Sequence, residues 1–208
     1  MMLTILLGLA GALAQGQAAA PATPVAPVVA PAVRGLKELP DTTVIYYDVT
    51  GKTIPEIQAS LKAVAANPAT KDKTQLYNWD VSARITKRTL GTVCTVDSSK
   101  STFTAKVNMP RLAGEESVPK PVLANWRAYV TDLESQAASD LWFIRDRLPR
   151  VEQSMANVGC DDAAAKWNAG LEGVRTELNA KIAARTAARA AAAATAAAAA
   201  AKPAPKKK

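Results

Sequence analysis

Histidine is absent from the 208-residue chain. A protein without histidine cannot contain a Ser-His-Asp or Cys-His catalytic arrangement, a histidine-ligated zinc ion or a histidine general base. The ten glycines are scattered singly, which excludes a glycine-rich loop that binds phosphate groups. Several common enzyme chemistries are therefore missing, and we predict no cofactor.

Long apolar runs are also scarce. A run from Leu3 to Leu13 is shorter than the roughly 20 residues that cross a bilayer, so we predict no transmembrane helix. Small-x-small patterns at Ala12–Ala14 and Gly16–Ala18 follow it, as in a secretory signal, although the usual Lys or Arg before the run is missing. We predict that residues 1–18 are a signal peptide and that the protein is periplasmic or secreted.

Cysteine occurs only twice, at Cys94 and Cys160. An isolated pair in an exported chain usually forms a disulfide, whereas a metal site would need further ligands that the neighbouring sequence lacks. We therefore predict a disulfide between the two residues. In the chain-entropy model it stabilises the folded state by roughly 4 kcal/mol.

Acidic residues are absent from Lys181 to Lys208, a segment that contains seven basic residues. These seven account for +7 of the formal net charge of +8, so the preceding chain is nearly neutral. The basic end could contact an anionic polymer: nucleic acid, lipid headgroups or cell-envelope polysaccharide. No aromatic side chain is interleaved with the charges to stack on bases, so we do not expect specific nucleic-acid binding.

Composition divides the rest of the chain into three parts. Residues 19–35 are an Ala/Pro linker whose prolines favour extended polyproline II. Residues 36–185 carry the patterns of a folded domain. Residues 186–208 are almost pure alanine followed by lysines, which predicts a helical extension with a disordered Lys tail.

Alternating apolar residues predict strands in the first half of the domain. The predicted strands are Thr43–Val49, Tyr77–Lys87, Val93–Asp97 and Thr102–Met109. The polar segment DSSKS between the last two indicates a bulge or a second turn. The pattern predicts a small antiparallel sheet of three or four strands.

The period then changes to that of helices. Thr53 caps a first helix that Asn67-Pro68 ends. A long helix with one apolar stripe follows from Val122 to Leu148, and Asp161 caps a last, C-terminal helix. The expected fold class is α+β, with the sheet packed against the long helix and the C-terminal helix.

Carboxylates cluster at Asp132, Glu134 and Asp140 on the predicted long helix. Asp132 and Glu134 are two positions apart and face different sides of a helix, so they do not converge on one ion. An all-oxygen metal site would need more ligands from elsewhere. We therefore interpret the cluster as a solvated helix face.

The order of these elements and several short segments resemble a family of exported bacterial proteins described as predicted zinc-dependent proteases (domain of unknown function 922). The resemblance covers roughly residues 43–182. It is carried by the segments VIYYDVTG, TIPEIQASLKA, YNWDVSARI and PVLANWRAYVTDL, together with Cys94 and Cys160. It implies a metallopeptidase-like domain.

The resemblance also implies a place for a His-Glu-x-x-His motif, directly after YVTDLES. In such a motif two histidines on one helix face hold zinc, and the glutamate acts as general base on the bound water. Carried over to this chain, the two ligands fall at Gln136 and Asp140, and the base falls at Ala137. Gln136 is a poor zinc ligand, Ala137 cannot move a proton, and Asp140 alone cannot hold the metal.

Three hypotheses follow. The leading one is a non-catalytic, exported protein, a pseudoenzyme, that binds a protein or an envelope polymer or acts as a scaffold in the cell envelope. The second is a metal-dependent hydrolase that uses carboxylates such as Asp140 with a metal other than zinc. The third is an envelope module whose basic end, Lys202–Lys208, binds an anionic polymer.

Overall fold

The computed structural model describes residues 34–200. The predicted signal peptide, nearly all of the predicted linker and the Lys tail lie outside the described residues. Within them, no helix combines the length and apolar character that a membrane span requires.

Three strands form one sheet: β1 (Thr42–Val49), β2 (Tyr77–Leu90) and β3 (Val93–Leu112), in the order β1-β3-β2. β2 and β3 are an antiparallel hairpin. Its turn contains Gly91, whose φ of 62° lies in the left-handed region that glycine adopts without strain. This turn lies between the predicted strands Tyr77–Lys87 and Val93–Asp97.

β1 pairs with β3 in parallel, from Thr42 opposite Ala105 to Val49 opposite Leu112. The prediction of a wholly antiparallel sheet is therefore wrong for this pair, while the α+β class is confirmed. β1 ends beside Leu112, and β2 begins opposite Val107, so both strand ends lie near one end of the sheet. The helical connection between them, residues 50–76, therefore does not have to cross back along the length of the sheet.

The predicted segments Val93–Asp97 and Thr102–Met109 belong to one continuous strand of 20 residues, β3. The register shifts between Thr86 and Lys87 of β2, where Asp97 of β3 is the extra residue. DSSKS therefore contains a bulge, one of the two predicted alternatives. Because the bulge accommodates the extra residue, β3 continues through this segment without a turn.

The described residues also form four α-helices: α1 (Ile54–Ala66), α2 (Lys120–Arg145), α3 (Leu148–Ser154) and α4 (Ala163–Ala200). Three short 3-10 helices lie at Leu36–Glu38, Lys71–Thr74 and Glu115–Ser117. α4 begins directly after Asp162, one residue later than the predicted cap at Asp161. It continues as helix through the alanine tract to Ala200, the last described residue.

Local signals set the helix ends. The hydroxyl of Thr53 accepts a bond of 3.4 Å from the Glu56 N–H, and the Glu56 carboxylate accepts one of 2.7 Å from the Lys52 N–H. α2 ends at Arg145, and Pro149 lies in the first turn of α3, where its missing N–H costs nothing.

Two residues of the predicted linker belong to the folded domain. The guanidinium of Arg34 lies over the Trp142 ring, 3.9 Å from its centroid, and binds the Asp146 carboxylate. The Gly35 carbonyl accepts a bond of 3.2 Å from the Trp142 indole N–H. Both residues therefore pack against α2, although the prediction assigns them to the linker.

The core lies between the sheet and the helices. An apolar stripe of α4 is buried at Trp167, Leu171, Val174 and Leu178. It packs in one cluster with residues of β3, α2 and α3, including Val96, Phe103, Val107, Ala137, Leu141, Ile144 and Val151. A second cluster joins α1 to the ends of β1 and β3 and to the first half of α2 through Val49, Ile57, Leu112, Val118 and Trp126.

The predicted disulfide between Cys94 and Cys160 is present, with a Cα–Cα distance of 5.5 Å. It ties the start of β3 to the segment before α4. Backbone bonds from Val96 N–H to the Val158 carbonyl (2.8 Å) and from Asn157 N–H to the Val96 carbonyl (2.9 Å) continue this attachment. The bridge thus holds the hairpin and α4 to one another.

Replacing both cysteines with serine (C94S/C160S) should lower the free energy of unfolding by roughly 4 kcal/mol, because the bridge closes a long loop in the unfolded chain. Urea denaturation followed by circular dichroism measures the change. Wild-type protein with reducing agent should show the same lowered midpoint. An unchanged midpoint in both samples would contradict the stabilising role.

Candidate functional site

Asp140, at the position that the resemblance gives to the second zinc ligand, is completely buried, with 0% of its surface exposed. Charged side chains are rarely buried unless they are paired. The prediction that this carboxylate lies on a solvated helix face is therefore wrong. α2 turns Asp140 inward because it lies next to Leu141 and one turn after Ala137, both of which are in the core.

The Asp140 carboxylate accepts four side-chain bonds from outside α2. The Arg185 guanidinium donates to both oxygens, at 2.8 and 2.7 Å, which is the bidentate geometry typical of strong Arg–carboxylate pairs. The Lys181 ammonium donates to Oδ1 at 3.0 Å, and the Tyr77 hydroxyl donates to Oδ2 at 3.1 Å. Asp140 therefore joins α2 to α4 and to the start of β2.

Titration of these groups follows from their contacts. Burial alone would raise the pKa of Asp140, but the hydrogen bonds from Arg185 and Lys181 outweigh it and hold the pKa below its ordinary value. Burial, with the Asp140 charge beside it, raises the pKa of Tyr77. At neutral pH Asp140 is therefore ionised and Tyr77 is a neutral hydrogen-bond donor.

A second, more exposed group of charges lies two helical turns earlier on α2. The Arg189 guanidinium donates to Asp132 at 2.6 Å, and the Gln136 amide donates to the other Asp132 oxygen at 2.8 Å. Half of the Asp132 and Arg189 side chains is exposed. Gln136, the position implied for the first zinc ligand, thus bonds along its own helix.

Ala137, the position implied for the general base, is completely buried in the main apolar cluster. A glutamate at this position would place a carboxylate among apolar side chains. The three motif positions therefore lie together on α2, as their spacing requires, but only Asp140 is bonded to other elements.

The cations that compensate Asp140 were not predicted as site residues, because they were counted with the basic C-terminal end. The sequence nevertheless contains a charge pattern that predicts these ion pairs. Lys181, Arg185 and Arg189 repeat every four residues on one helix face, and Asp132 and Asp140 have the matching spacing on α2. Two antiparallel helices with complementary charges at this spacing predict interhelical ion pairs.

A cleft of about 480 Å³ lies beside Asp140, between the start of β2 and α4. Arg175 lines it from α4, with its guanidinium 5.2 Å from the centroid of the Trp79 ring on β2. The described residues contain no cluster of three or more Cys, Asp or Glu side chains that could hold a metal ion. The cleft therefore offers cationic and aromatic groups rather than a set of metal ligands.

The model of a family described as "Bacterial protein of unknown function (DUF922)" matches residues 44–204, more than half of the chain. No curated protein matches the sequence. No solved structure matches it either.

Asp140→Asn should lower the free energy of unfolding by about 3 kcal/mol, because it removes the charge that two partly buried cations share. The matched control is Asp132→Asn, which removes the exposed ion pair on the same helix and should cost less than about 1 kcal/mol. Urea denaturation at pH 7 measures both. Equal effects of the two substitutions would contradict a special role for the buried pair.

The difference between wild type and Asp140→Asn should depend on pH. A folded-state pKa below the ordinary 3.8 means that the contribution of Asp140 is complete above that pH and is lost as pH falls through the folded-state pKa. The stability gap should thus be constant near neutrality and shrink below about pH 4. A gap that is unchanged in acid would show that ionisation of Asp140 does not contribute to stability.

Proposed function

Since the chain belongs to the family of bacterial proteins of unknown function DUF922, we propose that it is an exported, non-catalytic protein with a degenerate metallopeptidase-like domain. It acts by binding or scaffolding in the cell envelope. The observation that carries this proposal is the state of Asp140, whose carboxylate is bonded by Arg185, Lys181 and Tyr77.

The bonding of Asp140 disfavours metal binding at this position. A metal ion would have to displace the bidentate guanidinium and the ammonium from the carboxylate, and both cations would then repel it. Asp140 can therefore serve as a structural anion more readily than as a ligand. This supports a protein that keeps a peptidase-like scaffold without its zinc chemistry.

The other two motif positions support the same proposal. Ala137 has no proton to transfer and is enclosed in the apolar core, and Gln136 is bonded to Asp132. The alternative, a hydrolase with carboxylate ligands, needs free carboxylates that converge on one point. Both Asp132 and Asp140 are paired with arginines instead.

Export is supported by the disulfide, because such bonds persist in oxidising compartments. The cleft beside Asp140 supports the proposed binding function, since it brings an aromatic ring together with cationic and amide groups. The third hypothesis, polymer binding by Lys202–Lys208, concerns residues outside the described part of the chain and stays a prediction.

Protein purified without chelators should contain no stoichiometric zinc or other transition metal, measured by plasma mass spectrometry. It should also not hydrolyse casein when Zn²⁺, Mn²⁺, Co²⁺ or Mg²⁺ is supplied. A zinc peptidase with an intact His-Glu-x-x-His motif is the positive control for both measurements. Stoichiometric metal, or metal-dependent turnover that Asp140→Ala abolishes, would overturn the proposal.

The exported protein should lack the predicted signal peptide. N-terminal sequencing of the protein from the periplasm or culture medium should begin directly after Ala14 or Ala18, the ends of the two small-x-small patterns. Replacing Leu6 and Leu7 with arginine should keep the full-length chain in the cytoplasm, because the apolar run is then interrupted. An uncleaved chain found only in the cytoplasm would contradict export.

A further inference from the structure

The tip of the β2–β3 hairpin exposes two large aliphatic side chains. Leu90 is 68% exposed and Val93 is 61% exposed, and the two face one another across the turn. Most large apolar side chains of the strands pack into the core, and among the described residues Leu90 and Val93 are the most exposed of the large hydrophobic ones. Burying the pair against an apolar phase would be favourable by on the order of 1 kcal/mol or more for each side chain.

The same face of the hairpin is basic. Side chains alternate between faces along a strand, so Arg84, Arg88 and Leu90 share the face opposite to Val81, Ala83 and Ile85, which pack on the core.

Lys100 of β3 lies directly opposite Arg84. Like charges directly opposite one another destabilise a strand pair. The described residues place no carboxylate within ion-pair distance of Arg84 or Lys100; Arg88 has one 3.9 Å away, Asp97.

The hairpin is held close to its turn as well as farther along β3. The disulfide at Cys94 begins two positions from the turn, and the Val96 N–H bonds the Val158 carbonyl at 2.8 Å. The Ser101 N–H also donates to the Glu152 carboxylate, at 2.6 Å. Because these contacts already fix the backbone of the hairpin, its exposed apolar side chains can be buried against a partner with little further loss of conformational entropy.

From these contacts we propose that the outer face of this hairpin docks on a bilayer surface that contains anionic lipids. Arg84 and Lys100 bind the phosphate groups of the headgroups, and Leu90 and Val93 enter the boundary between headgroups and acyl chains. The cationic pair lies six residues from the tip, roughly 20 Å along the strand, so the hairpin lies along the surface rather than upright.

A lipid surface fits this face better than a nucleic acid does. Phosphates would satisfy the cations in either partner, but only a bilayer offers an apolar phase to Leu90 and Val93. No aromatic ring lies among the outward residues from Arg84 to Lys100 for bases to stack on. The inference goes beyond the proposed function and stands independently of it.

The test is cosedimentation of the full chain with vesicles of phosphatidylcholine alone or mixed with phosphatidylglycerol. We expect binding to the mixed vesicles only, weakened by salt. Arg84→Gln/Lys100→Gln should bind roughly 30-fold more weakly, from about 1 kcal/mol for each cation near an anionic surface. Leu90→Ser/Val93→Ser, which keeps every charge, should bind at least about tenfold more weakly.

Two controls separate the hairpin from net charge and from the basic end. Lys62→Gln/Lys120→Gln removes two exposed charges from α1 and the start of α2, at the end of the sheet away from the hairpin turn. This variant should bind within about twofold of wild type, because attraction falls off within a Debye length. Lys206→Gln/Lys207→Gln/Lys208→Gln should retain the response to the tip substitution. Thermal unfolding followed by circular dichroism checks that each variant is folded.

Three outcomes would overturn the proposal: no binding to the mixed vesicles, equal binding by the folded tip variant, or equal losses in the Lys62/Lys120 and Arg84/Lys100 variants. Binding of the same variants to a duplex DNA tests the alternative partner. If Arg84→Gln/Lys100→Gln abolishes binding to DNA and leaves binding to vesicles unchanged, the face recognises nucleic acid and the lipid assignment is wrong.

Discussion

Compensation of the Asp140 charge is the constraint on which the arrangement of the helices depends. A buried carboxylate without a partner costs several kcal/mol, so the folded state requires Arg185 and Lys181 at this place. Both cations come from α4, and Tyr77 adds a donor from β2. The Asp140 side chain thus fixes the position of α4 along the axis of α2. It also fixes the position of the start of β2 against both helices.

The ion pairs also explain how far α4 remains attached to the domain. Its apolar stripe ends at Ile182, after which the sequence is mostly alanine and offers little area to bury. The Arg185 and Arg189 pairs continue the contact with α2 beyond that point. Apolar packing therefore holds the first half of α4, and charge pairing extends the attachment toward the alanine tract.

Features that depend on local periodicity were predictable from the sequence. The alternation in β2, the stripe on α4 and the cap at Thr53 each follow from residues close together in the chain. The direction of β1 relative to β3 could not be predicted in this way. Alternation determines which face of a strand is buried, and not whether its neighbour runs parallel or antiparallel. The burial of Asp140 was missed for a related reason: its partners are more than 40 residues away in sequence.

The charge balance at Asp140 links two differences from a zinc-binding motif. In a zinc-binding motif the two histidines are neutral and contribute no charge, and the zinc ion supplies the positive charge of the site. Here one carboxylate supplies the negative charge, and Arg185 with Lys181 supplies the positive charge in place of a metal. A histidine at position 140 alone would leave two neighbouring cations without an anion. The carboxylate at position 140 and the cations on α4 therefore depend on one another, and their ion pairs balance the charge of this buried site without a metal.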